Sequence, residues 1–300
     1  MLNQDMMAKI ATGNGFIAAL DQSGGSTPKA LAGYGVTADA WSNDTEMYDL
    51  IHDMRSRIIT APSFSGDKVI GAILFERTMD GLVDGKPTPQ ALRDRGVVPF
   101  LKIDKGLEDE ADGVQMMKPM PGLDALLARA KALGVFGTKE RSVVNLANRT
   151  GIAAIVAQQF EVAAQVLAGG LMPILEPEVN IKSAERAAAD QLLLEEILKA
   201  LDAMTGDAKV MLKVSIPAKA NLFAPLVDHP RVLRVVALSG GFSRSEACAE
   251  LAKNRGMIAS FSRALLSDLR HQMSDAEFDA ALGAAIDEIY TASTQKTAAG

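Results

Sequence analysis

Residues Leu171–Val214 read LMPILEPEVNIKSAERAAADQLLLEEILKALDAMTGDAKVMLKV. The segment opens with an apolar run, Leu171–Leu175, and closes with another, Val210–Val214. Between them, Ala184–Ala203 places apolar residues at three- and four-residue spacing, the period of a helix with one buried face. Apolar runs without alternation suit strands covered on both sides, as in a parallel sheet flanked by helices. The segment therefore reads as strand, helix, strand.

The same unit recurs outward in both directions. Further strand candidates are Gly15–Leu20 (GFIAAL), Val69–Phe75 (VIGAILF), Val97–Leu101 (VVPFL), a weaker run at Val135–Thr138, Val232–Leu238 (VLRVVAL) and Met257–Phe261 (MIASF). Helical spacing marks Leu123–Leu133, Ile152–Leu167, Ser243–Lys253, which opens on a serine able to cap it, and Phe278–Ile289. Eight strand candidates alternating with helices predict an α/β fold, a (β/α)8 TIM barrel in one domain over residues 1–300. A doubly wound open sheet is the competing arrangement. The polar, small-residue end Ser293–Gly300 (STQKTAAG) is predicted to be a mobile tail.

Composition narrows the function. A net charge of -6 opposes general affinity for nucleic acid or an anionic membrane. Cys248 is the only cysteine, which excludes an intrachain disulfide and a cysteine-rich zinc site. The N-terminal stretch carries no secretory pattern, so a cytoplasmic protein is expected. His52, His229 and His271 form no closely spaced metal-ligand pair, and no nucleotide-binding glycine motif is present, so neither a metal nor another cofactor is expected. An all-carboxylate magnesium site stays open.

Polar residues gather at the C-terminal ends of the strand candidates, where barrel enzymes place their chemistry. Asp21 follows the first run. Lys102 and Asp104 follow the third, Lys139 and Arg141 the fourth, Glu176 and Glu178 the fifth. Residues two apart share a face, so Lys139 with Arg141, and Glu176 with Glu178, can both point into the barrel. Lys213 lies inside the apolar run VMLKVSI. A lysine buried there must be paired or lose its proton, and a neutral amine is what attacks a carbonyl. Glu176 and Glu178 can move protons, and burial beside a like charge is expected to raise one of them toward neutrality. Asp21 reads as a base or as a helix cap. Ser239-Gly240-Gly241 and Ser262-Arg263 suit the phosphate site that barrels build after their last two strands. Ser23 and Ser26, in Asp21–Ser26 (DQSGGS), suggest a second anion site. Two readings compete with covalent catalysis: a carboxylate-magnesium lyase, and a binding scaffold without activity.

GFIAALDQSGGSTPKAL, GAILFERTM, GVVPFLKIDKGL, FGTKERS, PILEPEVNI, VMLKVSIP, VVALSGG and ASFSRAL occur in this order between about Gly13 and Tyr290. Together they resemble the class I, Schiff-base-forming fructose-1,6-bisphosphate aldolases, in their shorter bacterial branch. The resemblance implies a metal-free lyase of glycolysis and gluconeogenesis acting on a sugar bisphosphate and triose phosphates. It implies a Schiff base on Lys213, proton transfer by Glu176 supported by Glu178, and a base at Asp21. Lys139 would stabilise developing charge, and Lys102 and Arg141 would hold substrate. Ser239, Gly240, Gly241, Ser262 and Arg263 would bind one phosphate; Ser23, Ser26 and Lys102 would bind the other. Such barrels are often oligomeric, which leaves a homo-oligomer open. In three places, among them a shorter SFSRAL block, the chain departs from the animal enzymes. It lacks their terminal tyrosine, a role Tyr290 does not inherit, and it has Glu140 where they carry tryptophan.

Overall fold

The computed structural model describes residues 2–297. Eight parallel strands follow one another: β1 Phe16–Leu20, β2 Val69–Leu74, β3 Val98–Lys102, β4 Gly137–Val144, β5 Met172–Val179, β6 Val210–Ser215, β7 Val232–Leu238 and β8 Ile258–Ala259. Each is hydrogen-bonded to the next in chain order. β8 meets β1 where Ala19 N donates to Phe261 O at 3.0 Å, so the sheet is a nearly closed barrel with helices between its strands. An open doubly wound order is thereby excluded.

Alternate residues along each strand separate into two apolar sets. Ile17, Ala19, Ile73, Val98, Phe100, Met172, Ile174, Met211, Val236 and Ile258 pack together inside the barrel. Phe16, Ala18, Leu20, Leu74, Leu101, Leu175, Leu212, Val214 and Ala237 pack outward against the helices. This is why the strands read as unbroken apolar runs: both faces are covered. Phe100 and Phe136 meet edge-on inside, their ring centroids 5.6 Å apart. Gly137 makes room for that pair, since a Cβ there would lie 2.8 Å from the Phe100 ring and 2.2 Å from Met172 O.

The principal helices are α1 Gln4–Thr12, α2 Ser26–Tyr34, α3 Asp44–Thr60, α4 Leu123–Ala132, α5 Arg149–Ala168, α6 Arg186–Asp202, α7 Arg244–Ala252 and α8 Asp275–Thr294. α1 does not belong to the outer ring. Its Met6, Met7 and Ile10 join the interior cluster and plug the end of the barrel opposite the strands' C-termini. Ser243 caps α7 as expected, in a reciprocal pair with Glu246. α5 turns Ile152, Ile155, Val156 and Val166 inward, each contributing about 1.5–3 kcal/mol by leaving water.

Two expectations need correction. The fourth strand is not the weak run Val135–Thr138 but Gly137–Val144. Lys139 and Arg141, which with Glu140 hid it, lie within the sheet because paired charges are tolerated at the barrel mouth. The expected tail at 293–300 is also anchored over its described part. α8 runs to Thr294, Ser293 is buried, and its Oγ accepts from Ala259 N at 3.0 Å. Lys296 Nζ donates to Met257 O at 2.7 Å and Ala292 O at 2.8 Å. Residues 298–300 lie outside the described residues. The polar side chains that suggested a mobile end instead satisfy the backbone around the short β8. Ser293→Ala would leave the buried Ala259 N–H unpaired, at a cost of about 1–3 kcal/mol. A lowered urea midpoint with unchanged slope is expected; an unmoved midpoint would show that the tail does not anchor β8.

Candidate active site

The site forms because β4 and β5 present alternate residues to the interior at matching heights. Arg141 lies beside Glu176 across the ladder, and Lys139 beside Ile174. Lys139 Nζ reaches Asp21 Oδ2 at 2.8 Å, Glu176 Oε2 at 2.9 Å and Asp104 Oδ2 at 3.7 Å. The other oxygen of Glu176, Oε1, lies 2.9 Å from Lys213 Nζ on β6. Lys102 Nζ, at the end of β3, pairs with Asp104 Oδ1 at 2.7 Å. Higher in the mouth, Arg141 Nε holds Glu178 Oε2 at 2.5 Å. The inner cluster thus sets three lysines against three carboxylates, all buried or nearly so.

Mutual pairing fixes the protonation of these groups. Burial would depress the Lys139 ammonium, but Asp21, Glu176 and Asp104 together raise it well above the ordinary lysine range. Burial works against the Asp21 carboxylate, yet Lys139 and Lys213 hold it far below the usual range. Glu176 is lowered as well, since Lys139 and Lys213 outweigh its burial. Of the pair in which one carboxyl was expected to rise, Glu176 instead falls, because Lys139 and Lys213 flank it, whereas Glu178 is drawn off to Arg141. Asp21 is no helix cap, because α2 begins at Ser26 and Asp21 turns to Lys139.

The phosphate-site candidates occupy adjoining loops. Ser239 is buried after β7, and Gly240 and Gly241 take φ of 60° and 114°. A Cβ at Gly241 would sit 3.8 Å from Arg263 Nη2, so the Ser-Gly-Gly turn and Arg263 converge. Among the described residues, no hydrogen bond or ion pair engages the Arg263 guanidinium. Ser262 Oγ accepts from Gln22 Nε2 at 2.5 Å. On the other loop, Ser26 Oγ donates to Ser23 O at 2.8 Å and accepts from Ser23 N at 2.9 Å. Lys102 faces Asp104 and does not pair with either serine, so the second site is less assembled than the first.

A family model described as fructose-bisphosphate aldolase class-I matches residues 2–230. The chain belongs to this family. A solved fructose-bisphosphate aldolase from Plasmodium falciparum, in complex with TRAP and a small-molecule inhibitor, superposes at TM-score 0.79. The alignment covers 99% of this chain and 97% of that one at 20% identity, a likeness that speaks for the fold. A second solved structure, named for orotidine-monophosphate decarboxylase and from Toxoplasma gondii, reaches TM-score 0.44 at 12% identity over 96% of each chain. It is too distant to bear on fold or function. Class I aldolases split fructose 1,6-bisphosphate into dihydroxyacetone phosphate and glyceraldehyde 3-phosphate through a lysine Schiff base, without a metal.

Three residues of this aldolase's mouth escaped assignment from sequence. Asp104 stood at a strand end but reveals its role only through contact with both Lys102 and Lys139. Arg55, fully buried in α3, holds the Asp21–Ser26 loop through Gln22. Glu140, beside Lys139, points outward from β4, fully buried, and neither of its carboxyl oxygens finds a hydrogen-bond partner among the described residues. Burial, and then the charge of Asp104, raise the Glu140 carboxyl well above its ordinary range. A carboxyl raised on folding binds more protons folded than unfolded, so its contribution falls as pH rises above the unfolded value of about 4.3. Glu140→Gln should therefore raise the melting temperature by a margin that grows between about pH 5 and 8. A margin independent of pH would contradict a neutral, unpaired Glu140.

Proposed function

We propose that this class I aldolase performs its cleavage on Lys213, with Glu176, Lys139 and Asp21 completing one proton-transfer array. The observation that carries the reading is the unbroken chain Lys213–Glu176–Lys139–Asp21, each link 2.8 or 2.9 Å long. Proton transfer from Lys213 Nζ to Glu176 gives the neutral amine, which attacks the C2 carbonyl of the ketose. Glu176 returns the proton to the carbinolamine oxygen, which leaves as water, and an iminium remains. Asp21 accepts the proton of the C4 hydroxyl as the C3–C4 bond breaks. The bonding pair passes into the iminium, leaving an enamine on Lys213 and glyceraldehyde 3-phosphate. Protonation at C3 and hydrolysis release dihydroxyacetone phosphate.

Lys139 keeps its charge throughout. Its place between Asp21 and Glu176 holds both as carboxylates at rest, and it neutralises the negative charge that moves between them. The strongly depressed Asp21 is a poor resting base. It gains a proton only as the C4–O–H group becomes acidic during collapse to the aldehyde. The iminium is the electron sink, so the array asks for no metal or organic cofactor. Ser239, Gly240, Gly241, Ser262 and Arg263 receive the phosphate on the Lys213 side, and the unengaged Arg263 fork is free to grip it. Ser23, Ser26 and Lys102 face the other phosphate, which requires Lys102 to loosen from Asp104. Arg141 secures Glu178 at the rim.

Lys213→Ala should abolish turnover in steady-state assays of bisphosphate cleavage, and Glu176→Gln should lower kcat by about 10²–10⁴-fold. Retained turnover in Lys213→Ala would remove the covalent role. Arg263→Ala should raise KM for fructose 1,6-bisphosphate more than for a monophosphate analogue lacking the phosphate on the Lys213 side. Equal changes for both would place that phosphate elsewhere.

A further inference from the structure

Arg55 is among the largest fully buried side chains of the protein. It projects from α3, yet no carboxylate lies within ion-pairing distance of it among the described residues. Its Nη1 donates to Thr78 Oγ1 at 2.7 Å, in the short helix that follows β2. Its Nη2 donates to Gln22 O and, at 3.3 Å, to Gln22 Oε1. Gln22 is thereby held by both its main chain and its side chain. The Gln22 amide nitrogen, Nε2, in turn donates to Ser262 Oγ at 2.5 Å. Burial pulls the Arg55 guanidinium down to about 10, with the charge of Asp21 opposing. Keeping a buried cation without a counter-ion costs stability. A planar fork that must reach three fixed acceptors gives a reason to keep it.

The position of this chain of contacts matters more than its strength. The β8/β1 seam is where the barrel closes, among the described residues by the single approach of Ala19 N to Phe261 O. Gln22–Ser262 is a second tie across the same seam, at the mouth. Gln22 adjoins Asp21 and opens the loop carrying Ser23 and Ser26. Ser262 adjoins Arg263. The two loops assigned to opposite phosphates are thus pinned to each other through one amide, and that amide is pinned by Arg55.

We propose that Arg55 and Gln22 form a specificity-determining clamp for bisphosphate substrates, in which Arg55 fixes Gln22 and the Gln22–Ser262 bridge sets the spacing of the two phosphate loops. The proposal rests on the aldolase reading of the site. A ketose carrying phosphate at both ends gains from both loops only if their separation is set beforehand, since ordering them on binding would consume that gain. A ketose with one phosphate engages one loop and is indifferent to the spacing. Arg55 and Gln22 touch neither reacting atom, so they act as positioning residues.

The test compares kcat/KM for fructose 1,6-bisphosphate and fructose 1-phosphate in the full chain, with melting temperatures recorded alongside. Gln22→Ala should lower the bisphosphate value roughly tenfold or more and the monophosphate value by no more than about threefold. Arg55→Lys keeps the charge but loses the fork and should shift the ratio the same way. The double variant should be no worse than the more affected single variant, because the two residues act in series. If Arg55→Lys does not fold, Gln22→Ala alone decides. Equal losses for both substrates, or an unmoved ratio, would overturn the clamp while leaving the aldolase reading intact. A wild-type chain that cleaves neither ketose would overturn that reading, and the clamp with it.

Discussion

Lys139 Nζ lies within 4 Å of three buried carboxylates, Asp21, Asp104 and Glu176, and the barrel mouth is organised around that fact. Lys139 and Lys213 together hold Asp21 and Glu176 as carboxylates against their burial, and Lys139 keeps its charge because those carboxylates face it. Their strands are thereby tied across the interior: β4 to the end of β1, to the residue two beyond β3, and to β5. Lys213 pairs with the array through Glu176, whose other oxygen, Oε1, it takes. The arrangement that lets charges persist inside the barrel is therefore the one that joins the proposed nucleophile, proton carrier and base.

The fold explains why this works only at one end. Below the array, the interior is filled by Ile17, Ile73, Phe100, Ile174, Met211 and Val236, with α1 closing the far end. These side chains offer no hydrogen-bonding group to a charge. At the mouth, the strand ends bring alternate side chains to similar heights, and the loops after β1, β7 and β8 supply serines, glycines and an arginine. The structural layer and the chemical layer are stacked along the same strands.

Much of this was legible in the sequence, and what was missed has physical causes. The strand run Val232–Leu238 was read to the residue because Arg234 is its single polar residue and apolar side chains flank it on both sides. The fourth strand was misplaced because Lys139, Glu140 and Arg141 look like loop, and only the β5 partners of Lys139 and Arg141 justify the charged stretch in a sheet. Lys213, Glu176, Lys139 and Asp21 could be nominated from strand ends. Their mutual pairing, and so the lowering of Glu176, required three dimensions. Arg55 was invisible because an arginine in DMRSRII resembles a solvated helix position. Nothing local reports that Gln22 and Thr78 will meet it. The anchored Ser293 was mistaken for tail because small polar residues are ambiguous until the unsatisfied backbone they serve is known.

The central claim is that Lys213, coupled through Glu176 to Lys139, is the covalent centre of a metal-free cleavage. It is tested most directly by borohydride reduction of the protein with dihydroxyacetone phosphate in EDTA, followed by peptide mass mapping. The account predicts a single reduced adduct on Lys213, undiminished by the chelator. No adduct, together with activity lost to EDTA, would contradict it and return the carboxylate-magnesium lyase as the better description.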